Sequence, residues 1–398
     1  MQSWPNPRAI EKTRNPHKAL QLKSNPLIFI SAADMSAELH AAKLVQAVRR
    51  LRPQASFVGV GGAKLAEQGV ELVAEVLGKS AMTYEAFGKV GYFLKVIHRA
   101  GQAMKRRNFD AAVFVDSPAL HFPMARKAKS RRIPSLYYIA PQVWAWARYR
   151  RKKLRRLIDK VACILPFEQE LLRGFGIDAS YVGCPLFDDF TSWDKSGPAD
   201  FKTGQPTIAL LPGSRIHEVE ALTPAMITIA KRVREQWPQA RFIIPAANET
   251  ILRAIDSLLG PDKPDFHLGC GIIHQAIEAS DFCVVASGTA TLEVAAHARP
   301  MVVMYHVNPV VWKLVGWWLV PQRPMCLVNI LAGKIIVPEF MPWYGSAEPV
   351  VEKVLELLAD PEGLARTSQR LMEITEPLKR PGTAERAAKM LLELADKR

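Results

Sequence analysis

The stretch Thr207–Arg215, TIALLPGSR, decides the fold class. Its first five residues read as a buried strand, Pro212-Gly213 makes a tight turn, and Ser214 and Arg215 follow just ahead of a helical segment. A strand, a small-residue turn and a helix in that order open a Rossmann-like unit. In such a turn Gly213 lets the backbone approach an anion, Ser214 donates a hydrogen bond and Arg215 grips phosphate oxygens bidentately. A strand-turn-helix with a surface arginine is also a common structural unit, so this string alone leaves both readings open.

Outward from it, the pattern repeats. Towards the C-terminus come a helix over Pro224–Gln236 and strands over Arg241–Pro245, Phe282–Ala286 and Met301–Tyr305. The strand ending at Ala286 runs into a second small-residue loop, ASGTATLE over Ala286–Glu293. The hydroxyls of Ser287, Thr289 and Thr291 and the amides around Gly288 sit at a helix start, where the dipole favours an anion by ~0.3–1 kcal/mol per charge. Glu293, one turn on, can accept both hydroxyls of a ribose; the structural alternative is a capped helix with an acid in its first turn. Two such loops in one unit point to a nucleotide diphosphate.

Towards the N-terminus, strand signals at Leu27–Ser31, Phe57–Val60, Ala111–Asp116 and Leu136–Ile139 alternate with helical patterns over Ser36–Arg52 and Phe122–Ser130, the mark of a doubly wound parallel sheet. A chain of 398 residues exceeds what one core usually supports. The fold class expected is therefore α/β, two Rossmann-like domains facing an interdomain cleft, with ligands at the carboxyl ends of the strands. The Gly- and Pro-rich stretch Gly183–Gln205 marks the hinge. The expected organisation is a loose tail over residues 1–26, a first domain over 27–190, a second over 206–360, and helices over 361–398 that cross back to the first.

Cys163, Cys184, Cys270, Cys283 and Cys326 are scattered and odd in number, which argues against a disulfide framework and for a reduced, intracellular protein. Met1–Pro26 has no apolar run that could serve as a secretory signal. Val302–Val320 is broken by His306, Asn308, Pro309 and Lys313, short of the ~20 apolar residues a spanning helix needs. His98, His217, His267, His274 and His297 have no metal-ligand spacing, and there is no D-x-D string, so neither metal nor cofactor is expected.

The net charge of +15 is unevenly placed: Lys95–Lys160 holds 18 Lys and Arg against three acids, a surplus equal to that of the whole chain. Its densest part, Arg148–Lys160, reads either as a solvated basic helix or as a face for anionic lipid headgroups, at ~1 kcal/mol per cation. No nucleic-acid motif accompanies the charge, and no nucleic acid is expected. Trp312, Trp317 and Trp318 lie in an apolar run suited to a bilayer interface, or to interdomain core.

Further strings complete the picture: APQVWAW at Ala140–Trp146, LPFE at Leu165–Glu168, VGCPLFD at Val182–Asp188, LLPGSR, ASGTATLE, and NILAG at Asn329–Gly333. In that order and spacing, from about Leu27 to near the C-terminus, the chain resembles lipid-A-disaccharide synthase. The resemblance implies an inverting, metal-independent GT-B glycosyltransferase that joins UDP-2,3-diacylglucosamine to 2,3-diacylglucosamine 1-phosphate and releases UDP. It implies that Ser214, Arg215, Ser287, Gly288, Thr289, Thr291 and Glu293 hold UDP. Asp34, Ser36, Glu38 and Asn329 would lie by the donor and acceptor sugars, and Asp116, in FVDSP, would be the catalytic base. It also implies a cytoplasmic protein associated peripherally with the inner membrane through Arg148–Lys160; a homodimer is left open.

Departures from the family pattern cluster on the acceptor and sugar side. Ala33 and Ala37 stand where glycine is usual, Cys184 where histidine is, Ala119 and His121 where Asp and Asn are, and Cys326 and Val328 where Ser and Pro are. Other readings of the chain are a GT-B transferase using another UDP-sugar or acceptor, a UDP-sugar epimerase, and a non-catalytic anionic-lipid binder.

Overall fold

The computed structural model describes residues 23–76, 86–141, 143, 150–188, 204–307, 309, 312 and 324–398. Most of the expected tail, Trp144, Trp146, Arg148, residues 189–203 of the expected hinge, and Trp317 and Trp318 lie outside them.

The described strands build two sheets. The first contains Leu27–Ala32 (β1), Ser56–Gly61 (β2), Glu71–Glu75 (β3), Ala111–Val115 (β4), Ser135–Tyr138 (β5), Lys160–Cys163 (β6) and Ala179–Tyr181 (β7), in the order β3-β2-β1-β4-β5-β6-β7. The second contains Thr207–Leu211 (β8), Arg241–Ala246 (β9), His267–Cys270 (β10), Phe282–Ala286 (β11), Met301–His306 (β12) and Glu339–Trp343 (β13), ordered β10-β9-β8-β11-β12-β13. The pairings of β1 with β2 and β4, and of β11 with β8 and β12, are parallel. In each sheet the chain winds outward to one edge, returns, and winds to the other. The order therefore reverses between β1 and β4 and between β8 and β11, and a crevice opens beyond the carboxyl ends of strands at such a switch point.

The composition of the central strands follows from this layering. Strands covered by helices on both faces need no polar side, so β4 (AAVFV) and β11 (FCVVA) are apolar and buried at every position. Along β8 the alternation is spatial: Ile208 and Leu210 pack with Val219, Ile229 and Ile255 of two following helices, while Ala209 and Leu211 pack with Leu292, Ala295 and Val328 on the other face.

The helix Met35–Leu51 buries Ala37, Ala41, Leu44, Val45 and Val48, spaced for one face, and is capped by Asp34, whose side chain accepts from Ala37 N at 2.8 Å. Ala37 lies within this helix, and Asp34 before it has an extended φ of −140°. The second domain's first helix spans Ile216–Gln236, beginning well before Pro224. Proline at a helix start is the sequence rule. Here, however, capping by Glu218 starts the helix and Pro224 is carried inside, at a cost of ~3 kcal/mol relative to alanine. The basic segment forms a helix over Arg150–Leu157 with Leu154 and Leu157 buried, and Lys160 already begins β6.

The chain divides into two compact units, residues 1–136 with 388–398, and residues 137–387. Within the first, Asp396 accepts from Lys23 N at 2.9 Å and pairs with Arg52 at 3.7 Å.

Candidate active site

In the second unit a cavity of about 690 Å³ opens at the carboxyl ends of β8 and β11. Ser214 and Arg215 line it from one strand end, and Ser287, Gly288, Thr289 and Glu293 from the other. Because β8 and β11 are neighbours, residues more than seventy positions apart in sequence share one wall.

The first loop already holds an anion. The amides of Ser214 and Arg215 both donate to Glu218 Oε2 at 3.3 Å, and Arg215 Nη1 donates to Glu218 Oε1 at 2.7 Å. Gly213 makes this convergence possible: its φ is +114°, and a Cβ there would lie 2.6 Å from Glu218 Oε2. The Arg215 side chain is 69% exposed. An exposed pair of this kind is worth ~0–1 kcal/mol, which leaves the guanidinium available to a stronger anion. Glu218 was missed in the sequence, although the Arg215-x-x-Glu218 spacing is that of a helix N-terminus with an acid at its third position.

In the second loop the hydroxyl-bearing residues divide. Ser287 N is tied to Met304 O of β12 at 2.8 Å, and its side chain and that of Thr289 line the cavity. Thr291 is buried, and its Oγ1 donates to Gly288 O at 2.7 Å, so it shapes the loop from behind. A Cβ added at Gly288 would meet nothing within 4 Å, so the space beside it is open to a ligand. The helix after this loop, Ala290–Ala296, has only seven residues, so the loop's side chains and amides matter more than its dipole. Glu293 is half-buried, and desolvation pushes its carboxyl up to about 7.

Ile273, His274, Met325 and Leu327 complete the wall. His274 lies 6.0 Å, ring to ring, from His297; burial lowers both imidazoles, His297 to about 4, so neither adds a cation at neutral pH. Asn329 is fully buried behind this wall. Its Nδ2 donates to Val337 O at 2.8 Å and Glu339 Oε2 at 3.2 Å, and its Oδ1 accepts from Ile336 N and Val337 N. Glu339 in turn accepts from the amides of Met325 and Cys326.

A second constellation lies in the first unit, at the ends of β1 and β4. Ser117 Oγ donates to Asp34 Oδ2 at 2.9 Å, which ties the two strand ends together. Asp116 (φ 55°) and Ser117 (φ 39°) are both left-handed, a conformation that costs a non-glycine residue roughly 1–3 kcal/mol and that clusters at functional sites. Asp116 is half-buried and Ser36 exposed. Glu38 is buried, its Oε1 accepting from Gly62 N at 2.7 Å and Leu65 N at 3.1 Å, which secures the start of the helix Ala63–Glu67. Among the described residues no His, Cys, Asp and Glu cluster could hold a metal ion.

Two doubly wound parallel α/β sheets, with two small-residue loops at the switch point of the second, define a fold of the GT-B class. Solved structures share this fold: a putative UDP-N-acetylglucosamine 2-epimerase from Listeria monocytogenes (TM-score 0.60, 14% identity, covering 92% of this chain and 94% of that one) and MurG from Acinetobacter baumannii (TM-score 0.54, 14%, covering 92% and 99%). The lipid-A-disaccharide synthetase family pattern matches residues 28–394, and the chain belongs to that family. It is 36% identical over 382 residues to the lipid-A-disaccharide synthase of Syntrophus aciditrophicus (strain SB), covering 94% of this chain and 99% of that protein. It is also 36% identical over 374 residues to that of Myxococcus xanthus (strain DK1622), covering 93% and 97%.

Proposed function

We propose that the chain joins UDP-2,3-diacylglucosamine to 2,3-diacylglucosamine 1-phosphate, giving the β-1,6-linked disaccharide 1-phosphate and UDP. The observation that carries the reading is the cavity wall where Ser214, Arg215, Ser287, Gly288, Thr289 and Glu293 meet, in a chain that matches the family from residue 28 to 394. Arg215 and the hydroxyls of Ser287 and Thr289 take the diphosphate, with Arg215 exchanging Glu218 for phosphate oxygens. Glu293 accepts the ribose hydroxyls, and Thr291 and Asn329 hold the loop and wall in shape. Asp116 takes the proton from the acceptor's 6-hydroxyl as that oxygen attacks the anomeric carbon and the carbon–oxygen bond to UDP breaks. Asp34 and Ser36, beside it at the end of β1, serve the acceptor.

Among the described residues no helix is long and apolar enough to cross a membrane. A peripheral contact with an anionic surface is proposed through Arg150–Leu157, where Lys152, Lys153, Arg155 and Arg156 are exposed. The test of the reaction is incubation with both acyl-sugars and mass detection of a disaccharide together with UDP. Conversion of the donor into an isomer of equal mass, with neither UDP nor disaccharide formed, would instead favour an epimerase reaction, and UDP release with no disaccharide would mean hydrolysis of the donor.

A further inference from the structure

Asp116 and Ser117 follow one another in the left-handed region at the end of β4, and something must hold them there. His121 Nδ1 lies 2.6 Å from Asp116 O, while its Nε2 lies 3.0 Å from Ser31 Oγ on β1. A carbonyl only accepts, so Nδ1 carries the proton and donates; Nε2 then accepts from the Ser31 hydroxyl. Burial favours this neutral form, pushing the imidazole down to about 4. The ring is fully buried, 5.6 Å from the Phe114 ring, and Phe114 is the register partner of Ser31 across β1 and β4. The imidazole, carried on the helix Pro118–Ser130, thus contacts two adjacent central strands while it donates to the Asp116 carbonyl within the turn.

We propose that His121 is a positioning residue for Asp116: by donating from Nδ1 to the Asp116 carbonyl it holds the left-handed turn and so the place of the Asp116 carboxylate. The inference rests on the reading of Asp116 as the base. Loss of the donor frees the 116–117 peptide to rotate, and a base displaced by about 1 Å can cost on the order of a hundredfold in rate.

Two amide substitutions separate positioning from packing. In His121→Asn the side-chain nitrogen reaches the place of Nδ1 and keeps the bond to Asp116. In His121→Gln it reaches the place of Nε2 and keeps only the Ser31 contact. With the full chain and both acyl-sugars, single-turnover rates should fall roughly ten- to a hundredfold in His121→Gln and stay within about threefold of the parent in His121→Asn. UDP affinity by calorimetry should be unchanged in both. Asp116→Asn and the double variant Asp116→Asn/His121→Gln are measured alongside, and the double should be no slower than Asp116→Asn alone. Should His121→Gln fail to fold, His121→Met, which has no donor, takes its place. Equal rates in the Asn and Gln variants, or a double variant slower in proportion to both single losses, would overturn the positioning role. Near-normal turnover in Asp116→Asn would overturn the base itself, a different failure.

Discussion

Arg215 pairs with Glu218, and this supports the proposed phosphate role, because Glu218 places a carboxylate where two loop amides and a guanidinium converge. Hydrogen bonds to charged groups contribute about 1.5–3 kcal/mol, so Arg215→Ala should weaken UDP by roughly tenfold or more in calorimetry. Unchanged affinity would remove the phosphate role. Glu293 makes a prediction about pH. Its carboxyl is raised to about 7 in the folded chain, above the ordinary 4.5, so the folded state binds the proton more tightly than the unfolded chain does. The stability linked to this group is full below 4.5 and is lost as pH rises through 7. Melting curves of Glu293→Gln should lack that decline; an identical pH dependence in parent and variant would show that Glu293 is not the group responsible. Gly213→Ala should destabilise by about 1–3 kcal/mol in denaturant titration, because both its φ of +114° and the nearby Glu218 carboxylate exclude a methyl group.

At the scale of the element, the helix Arg150–Leu157 buries two leucines and turns four cations to solvent. Exposed charges on one short helix do little for stability, but each is worth about 1 kcal/mol at an anionic surface. Replacing Lys152, Lys153, Arg155 and Arg156 with glutamine should leave the melting temperature nearly unchanged and abolish flotation with phosphatidylglycerol vesicles, as high salt should do for the parent. Binding that ignores both salt and lipid charge would exclude this helix as the contact. The periodicity of this segment was readable, but its end was not: Leu157 closes the helix and Lys160 begins β6, since a strand edge is set by its neighbour β7 and not by local charge. At Ile216 the reason is the opposite: a local capping acid, Glu218, sets the helix start and the proline is carried inside.

For the whole molecule, the proposed roles fall in separate units: Asp116 within residues 1–136 and the UDP loops within 137–387. Asp116→Asn should therefore slow single turnover by at least about a hundredfold, the lower range for a general base, while UDP affinity stays nearly intact. A parallel loss of affinity would contradict that division of labour. The strand-helix alternation, the two small-residue loops and the family strings all lie in contiguous residues, and these alone determined the doubly wound α/β class and the GT-B resemblance. The adjacency of the two loops was expected from their shared unit and the resemblance, but its physical cause is tertiary. Ser214 and Ser287 share a wall only because β8 and β11 pair at the switch point, and that pairing is a long-range choice that no local pattern encodes. Nor could residue type separate an acid, amide or imidazole that faces a ligand from one that holds the scaffold. Glu38 answers to the amides of Gly62 and Leu65, Asn329 to the backbone at Val337, and His121 to Ser31. A buried polar group must find its partner wherever the fold brings one, so the roles of these residues were decided by tertiary structure.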